Sequence, residues 1–215
     1  EIHERLVGSE MCIRDRTQIP KVFLDTSSLV APDELNGDLL LMESRTSVRR
    51  ITSHLLEQGR TLPGFIGDIG YAQSNRERYE GFCQALTDAG KKVDSSLCLT
   101  TPLGIDTYRE EIDTFLSSLS RMPDAFVCAS DYVACILMQL LEKRGLRVPE
   151  DVAVSGFDNN TEDLLAEHLT TVQVFNEELG ARLALQILYR IKYPNTPHEI
   201  TYLGTNVLYR DSTGD

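Results

Sequence analysis

The chain has 215 residues, 41% hydrophobic and 25% charged, and its 21 Lys and Arg stand against 33 Asp and Glu for a net charge of −12. That composition fits an ordinary globular protein of one large or two small domains, and the acidic excess argues against these residues binding nucleic acid alone, which takes basic side chains to replace phosphate counterions. No run reaches the roughly 18 apolar residues of a membrane span, so no membrane partner is expected, and the five cysteines (Cys12, Cys83, Cys98, Cys128 and Cys135) form no C-x-x-C pair and read as reduced thiols.

Residues 1–16, EIHERLVGSEMCIRDR, show no clean period, no cap and no apolar core of a secretory signal. They are read as a non-native leader and set aside, a genuine short helix being the alternative. Lys21–Asp25 (KVFLD) reads as a strand opened by Pro20, and Leu39–Met42 as another. Thr46–Glu57 has apolar residues at helical spacing (Val48, Ile51, Leu55, Leu56) and is closed by Gly59. Leu62–Ile69 reads as a strand running into a glycine-flanked tip. Asn75–Ala89 follows as a strong helix with Tyr79, Phe82, Cys83 and Leu86 inward, ended by Gly90. Val93–Leu99 reads as a strand, and Thr107–Leu119 as a helix with Ile112, Phe115, Leu116 and Leu119 on one stripe.

The stretch from Pro123 to Asp158 carries the most information. Ala125–Ala129 is a short apolar run, Tyr132–Arg144 is helical, Gly145 fits the position just past a helix end, and Val152–Phe157 is a second apolar run. A strand–helix–strand unit of this size makes two parallel strands by a right-handed crossover. Ser130 and Asp131 then end one strand and Asp158 ends the next. Open parallel sheets bind ligands beyond those carboxyl ends. Leu169–Val174 is a further strand, Asn176 is placed to cap the helix Glu177–Lys192, and Ile200–Tyr209 is a final strand of period two. The alternation predicts an α/β fold with a mainly parallel sheet. Any two lobes would be joined at short crossovers near Arg60, near Phe175 and near Asn195–Pro197.

Four segments in order resemble the effector-binding core of the lactose-repressor (LacI/GalR) family of bacterial transcription regulators: GDIGYAQSNRERYEGFCQAL (67–86), PDAFVCASDYVA (123–134), GLRVPEDVAVSGFDN (145–159) and LTTVQVFNEELG (169–180). The likeness covers roughly residues 18–211. It implies a periplasmic-binding-protein-like two-lobe fold, parallel sheets flanked by helices, with the N-terminal lobe incomplete. Residues 17–60 and 176–196 would form that partial lobe, and 61–175 with 197–211 the C-terminal lobe. It also implies a cytoplasmic homodimer that binds a small-molecule effector, a sugar or purine-like metabolite, between its lobes. Operator DNA would be met only through an N-terminal head that these residues do not contain. Near Arg45 and Thr46 the chain departs from the family, which often carries an Asp-Asn pair there.

The resemblance makes Arg78 the first expected ligand-binding residue, because it falls in the phase of the family's effector-contacting arginine. A guanidinium is a rigid donor fork suited to adjacent hydroxyls or a carboxylate. Ser74 lies one turn earlier. Asp158 would accept from sugar hydroxyls and pair with Arg78 in the empty site, with an Asx turn as its plainer role. Ser130 stands where the family often has asparagine, and Asp131 is expected to cap the following helix while its backbone meets ligand. Tyr71 and Phe157 are read as stacking on an apolar sugar face or as packing residues. No catalytic residue, metal or cofactor is expected. The histidines (His3, His54, His168, His198) make no metal spacing, and no P-loop, G-x-G-x-x-G or G-x-S-x-G occurs. An exported solute-binding protein of the same fold is the nearest rival reading, and a sugar-processing hydrolase a more distant one.

Overall fold

The computed structural model describes residues 19–104, 106–160 and 167–215, so the reading of 1–16 lies outside the described residues. The strands are β1 (Val22–Leu24), β2 (Asp38–Met42), β3 (Pro63–Ile66), β4 (Cys98–Leu99), β5 (Ala125–Cys128), β6 (Ala153–Ser155), β7 (Thr171–Gln173), β8 (Ile200–Leu203) and β9 (Asn206–Leu208). The helices are α1 (Arg45–Glu57), α2 (Gln73–Asp88), α3 (Tyr108–Ser118), α4 (Asp131–Lys143) and α5 (Asn176–Lys192). One parallel sheet has the order β1-β2-β8 and another, also parallel, the order β4-β3-β5-β6. A short antiparallel ribbon, β7-β9, adjoins the second sheet through bridges between Ser155 and Thr170 and between Asp158 and Gln173. The chain is thus an α/β protein with parallel sheets flanked by helices.

Helices cover both faces of the four-stranded sheet, which explains its continuous apolar strands. On one face Ile112 and Leu116 of α3 and Val133, Leu137 and Leu141 of α4 bury against Phe126 and Val154. On the other, Val48, Ile51 and Leu55 of α1 and Phe82 and Leu86 of α2 bury against Phe65 and Val127. Gly81 lets α1 and α2 touch: a Cβ there would stand 2.2 Å from the Arg45 carbonyl oxygen. The three-stranded sheet has a smaller core around Leu35, Leu39 and Leu41. Helix α5 meets this sheet through a buried polar contact. Arg190, 3% exposed, pairs with Asp38, 1% exposed, and Gln186 donates to the same carboxylate at 2.8 Å.

These contacts move the boundaries expected from sequence. Helix α1, grouped with the first lobe as part of 17–60, packs into the core of the second sheet. The chain therefore leaves the first sheet at Glu43–Ser44 rather than near Arg60. The run Ile200–Tyr209, expected as one strand of the second lobe, is two strands. β8 pairs with β2 in the first sheet, and β9 pairs with β7 beside the second. The crossing points are tied together, since Thr205 donates to the Glu43 carbonyl at 2.8 Å and its hydroxyl lies 2.9 Å from that of Ser47. The expected strand Val93–Leu99 survives only as Cys98–Leu99. Before it, Asp94 accepts from the Ser96 amide at 3.0 Å and winds Ser95–Leu97 into a 3-10 turn. Helix α5 begins at Asn176 itself, behind Phe175, so Asn176 is not its cap.

Candidate functional site

The carboxyl ends of β3, β5 and β6 lie on one rim, as their parallel order requires, the end of β1 in the other sheet is bonded to the same region through Asp25 and Thr26, and the polar residues that follow these strands form one cluster. Arg78 comes up from the second turn of α2. It is 5% exposed, and its guanidinium lies 3.7 Å from the centroid of the Phe157 ring. One terminal nitrogen donates to the Ala129 carbonyl at the end of β5 and reaches Asn75 Oδ1 at 3.4 Å. The other faces Asp158 Oδ1 at 3.5 Å. Nε is buried without a hydrogen-bond partner among the described residues. Burial weakens the guanidinium's hold on its proton, and Asp158, Asp25, Asp131 and Glu77 oppose that effect, so it remains a cation at neutral pH.

Asp158 is the accessible half of this pair, with its side chain 42% exposed. Burial of its surroundings raises its pKa, and Arg78 pulls it down. Its backbone has φ 110°, outside the ordinary left-handed region, and Asn159 follows at φ 52°. Strain of this kind persists only where the surroundings hold it. Here the Asp158 amide donates to the Val172 carbonyl at 3.0 Å, and the Asn159 amide to Thr171 Oγ1 at 3.2 Å. Asp158 is thus strand-end geometry pinned by β7, not merely a turn former.

The capping role expected of Asp131 falls to Ser130. Ser130 is the cap of α4, its hydroxyl accepting from the Val133 amide at 3.3 Å. Asp131 is the first helical residue and is 2% exposed. Its carboxylate accepts from Thr171 Oγ1 at 2.6 Å and from the Asn160 amide at 2.8 Å. It therefore fastens the loop after β6 to the end of β5. Burial pushes its pKa up to about 6 even though both donors pull the other way. Gly156 is required beside it, because a Cβ would come within 2.2 Å of Asp131 Oδ1 and 2.9 Å of Leu169.

The aromatic expectations divide. Phe157 is fully buried and forms the floor under Arg78, so it packs and does not face ligand. Tyr71 is 72% exposed at the tip after β3, which leaves its ring free. Ser74 is buried, and its hydroxyl donates to Asp25 Oδ2 at 2.5 Å. Asp25, at the end of β1 with φ 59°, went unselected in the sequence. The signal was there, since KVFLD ends a strand just as VAVSGFD does. The structure thus gathers Arg78, Asp158, Ser130, Asp131, Ser74 and Phe157, adds Asp25 from the other sheet, and leaves Tyr71 at the rim. Among the described residues no group of His, Cys, Asp and Glu has the arrangement of a metal site.

Comparison with known proteins gives this geometry a context. Residues 52–213 match the family described as periplasmic binding protein-like domain. The transcriptional regulator DegA of Bacillus subtilis is 32% identical over 166 residues, which is 76% of this chain and 47% of DegA. The chain spans about half the length of the curated relatives it matches. The structure of a putative LacI-family regulator from Sanguibacter keddieii superimposes with a TM-score of 0.77 at 27% identity, covering 91% of this chain and 72% of that one. The complex of the regulator CelR with cellobiose superimposes with a TM-score of 0.79 at 25% identity, covering 98% and 69%.

Proposed function

The chain belongs to the periplasmic binding protein-like domain family, in the form found in LacI-type transcription regulators, and we propose that it senses a small neutral metabolite, a sugar above all, held between two lobes at Asp158. The Arg78–Asp158 pair over Phe157 carries this reading. An arginine that is buried, stacked and bonded to a backbone carbonyl is a fixed point, and it holds an exposed carboxylate at the rim where ligands enter parallel sheets. Such a carboxylate accepts two hydroxyl hydrogen bonds, and the second terminal nitrogen of Arg78 donates to the oxygen beside them. Tyr71 is free to cover an apolar sugar face. The cellobiose held by CelR is a ligand of that chemistry.

In the complete protein, closure of the lobes on the effector would change the affinity of a homodimer for operator DNA through a separate DNA-binding head, in the cytoplasm. This is a coupling between two sites through a hinge with two states. The hinge is the set of crossings at 43–44, 174–175 and 204–205. Among the described residues the arrangement offers no activated nucleophile or paired acid and base, and the reading is of a sensor rather than an enzyme. Calorimetric titration of the chain with cellobiose, D-ribose and related sugars tests the site. Asp158→Asn is expected to weaken binding of the sugar that binds at least tenfold while moving the melting temperature by no more than about 2 °C. Equal affinity in the variant places the sugar elsewhere.

A further inference from the structure

Helix α2 touches both sheets, and we infer that Glu77 and Tyr202 form a latch that holds the two lobes closed around the Asp158 site. Through Gly81, Phe82 and Leu86 the helix is part of the second lobe. Its first two turns, however, face the first. The Gln73 amide donates to the Thr26 carbonyl at 2.8 Å, Ser74 is bonded to Asp25, and Glu77 Oε1 accepts from the Tyr202 hydroxyl at 2.8 Å. Tyr202 stands on β8, which among the described residues ladders with β2 alone. The hydrogen bond therefore runs from one sheet to the helix that carries Arg78.

Glu77 is 3% exposed, and besides Tyr202 it accepts from Gln73 Nε2 on the same helix at 3.2 Å. A buried carboxylate is costly to leave short of donors. When the lobes part, β8 moves away from α2 and water takes the place of the Tyr202 hydroxyl, so what is lost is the net worth of one intramolecular hydrogen bond. The closed form is favoured by that difference. Two residues beyond Tyr202 the chain turns at Gly204 into Thr205, which is bonded to Glu43 and Ser47 at the other crossing. Movement of Tyr202 is thus tied to the hinge. The inference rests on an effector binding between the lobes, but the latch can be read without any effector.

Hydrogen–deuterium exchange of the chain without sugar tests it, comparing the natural sequence with Tyr202→Phe and Glu77→Gln. Tyr202→Phe is expected to speed amide exchange in 73–78 and 200–205 about tenfold, the effect of one lost hydrogen bond, and to leave peptides within 125–141 unchanged. Glu77→Gln still presents an oxygen to the tyrosine hydroxyl and should exchange like the natural chain. Unchanged exchange in Tyr202→Phe overturns the latch. So does a rise spread evenly through 125–141, which would be general loosening. If the latch behaves as stated but no sugar binds, the sensor reading fails and the latch stands.

Discussion

Replacing Arg78 with Met keeps the stem and removes the charge, and its effect can be worked from the contacts. The charge-assisted bond to the Ala129 carbonyl is lost, about 1.5–3 kcal/mol. The cation over the Phe157 ring is lost as well, about 2 kcal/mol in a desolvated setting. Pairing with Asp158 adds less than about 1 kcal/mol, since that side chain is 42% exposed and water can replace the arginine. Against these losses, the buried Nε no longer lies unbonded, worth about 1–3 kcal/mol, and the thioether packs on the phenyl ring for about 1 kcal/mol. The balance is a loss of about 1–3 kcal/mol, or about 3–10 °C in melting temperature for a chain of this size. Sugar affinity should fall further, by about a hundredfold, because Asp158 loses its fixed partner. Urea denaturation and calorimetry on the same samples read both effects. A variant with unaltered stability and affinity would refute the claim that Arg78 anchors the site.

Three other outcomes follow from the same contacts. Asp131 has its folded pKa, about 6, above the unfolded value of 3.8, so the folded state binds the extra proton and stability falls as pH rises from about 4 to about 6, by at most about 3 kcal/mol. Asp131→Asn should remove that part of the slope when urea midpoints are compared across the window. Gly156→Ala should cost about 2 kcal/mol or more, seen as a lowered melting temperature, because neither Asp131 nor Leu169 has room to withdraw. Asp38→Asn leaves Arg190 buried without its counter-charge and should cost about 3–5 kcal/mol. In the natural chain burial raises the Asp38 pKa, but bonds from Arg190, Gln186 and the Glu199 amide outweigh it and the net shift is downward. Its contribution is therefore present above about pH 4 and lost as pH falls below that, the opposite sense to Asp131.

What could be read from the sequence was what local pattern decides. Helix α4 follows from its apolar spacing, and the rim of Ser130, Asp131 and Asp158 follows from two parallel strands with polar ends. What escaped was decided by distant partners. Ser130 and Asp131 are both competent caps by type, and only the arrival of Thr171 and the Asn160 amide draws Asp131 inward and leaves the cap to Ser130. The amphipathic stripe of α1 says that one face is buried, but not against which sheet. Gly81 helps settle that, from the middle of α2, where it lets α1 approach. The period-two run 200–209 looks like one strand because alternation carries no mark where the pairing partner changes from β2 to β7. Phe157 and Tyr71 are both aromatics beside glycine, and their opposite fates depend on tertiary placement: Phe157 packs into the core of the second sheet, while Tyr71 sits on the tip after β3.

The split of that final run has a consequence for inheritance. The first sheet is assembled from residues before Glu43 and again from α5 and β8, and the second from the stretches between and after. Neither half of the molecule corresponds to a continuous piece of gene. A recombination event, or a deliberate cut, that lifts one half into another protein must make three joins at once. The two halves are therefore expected to pass between proteins together, with new specificities arising by substitution along the rim rather than by exchange of halves.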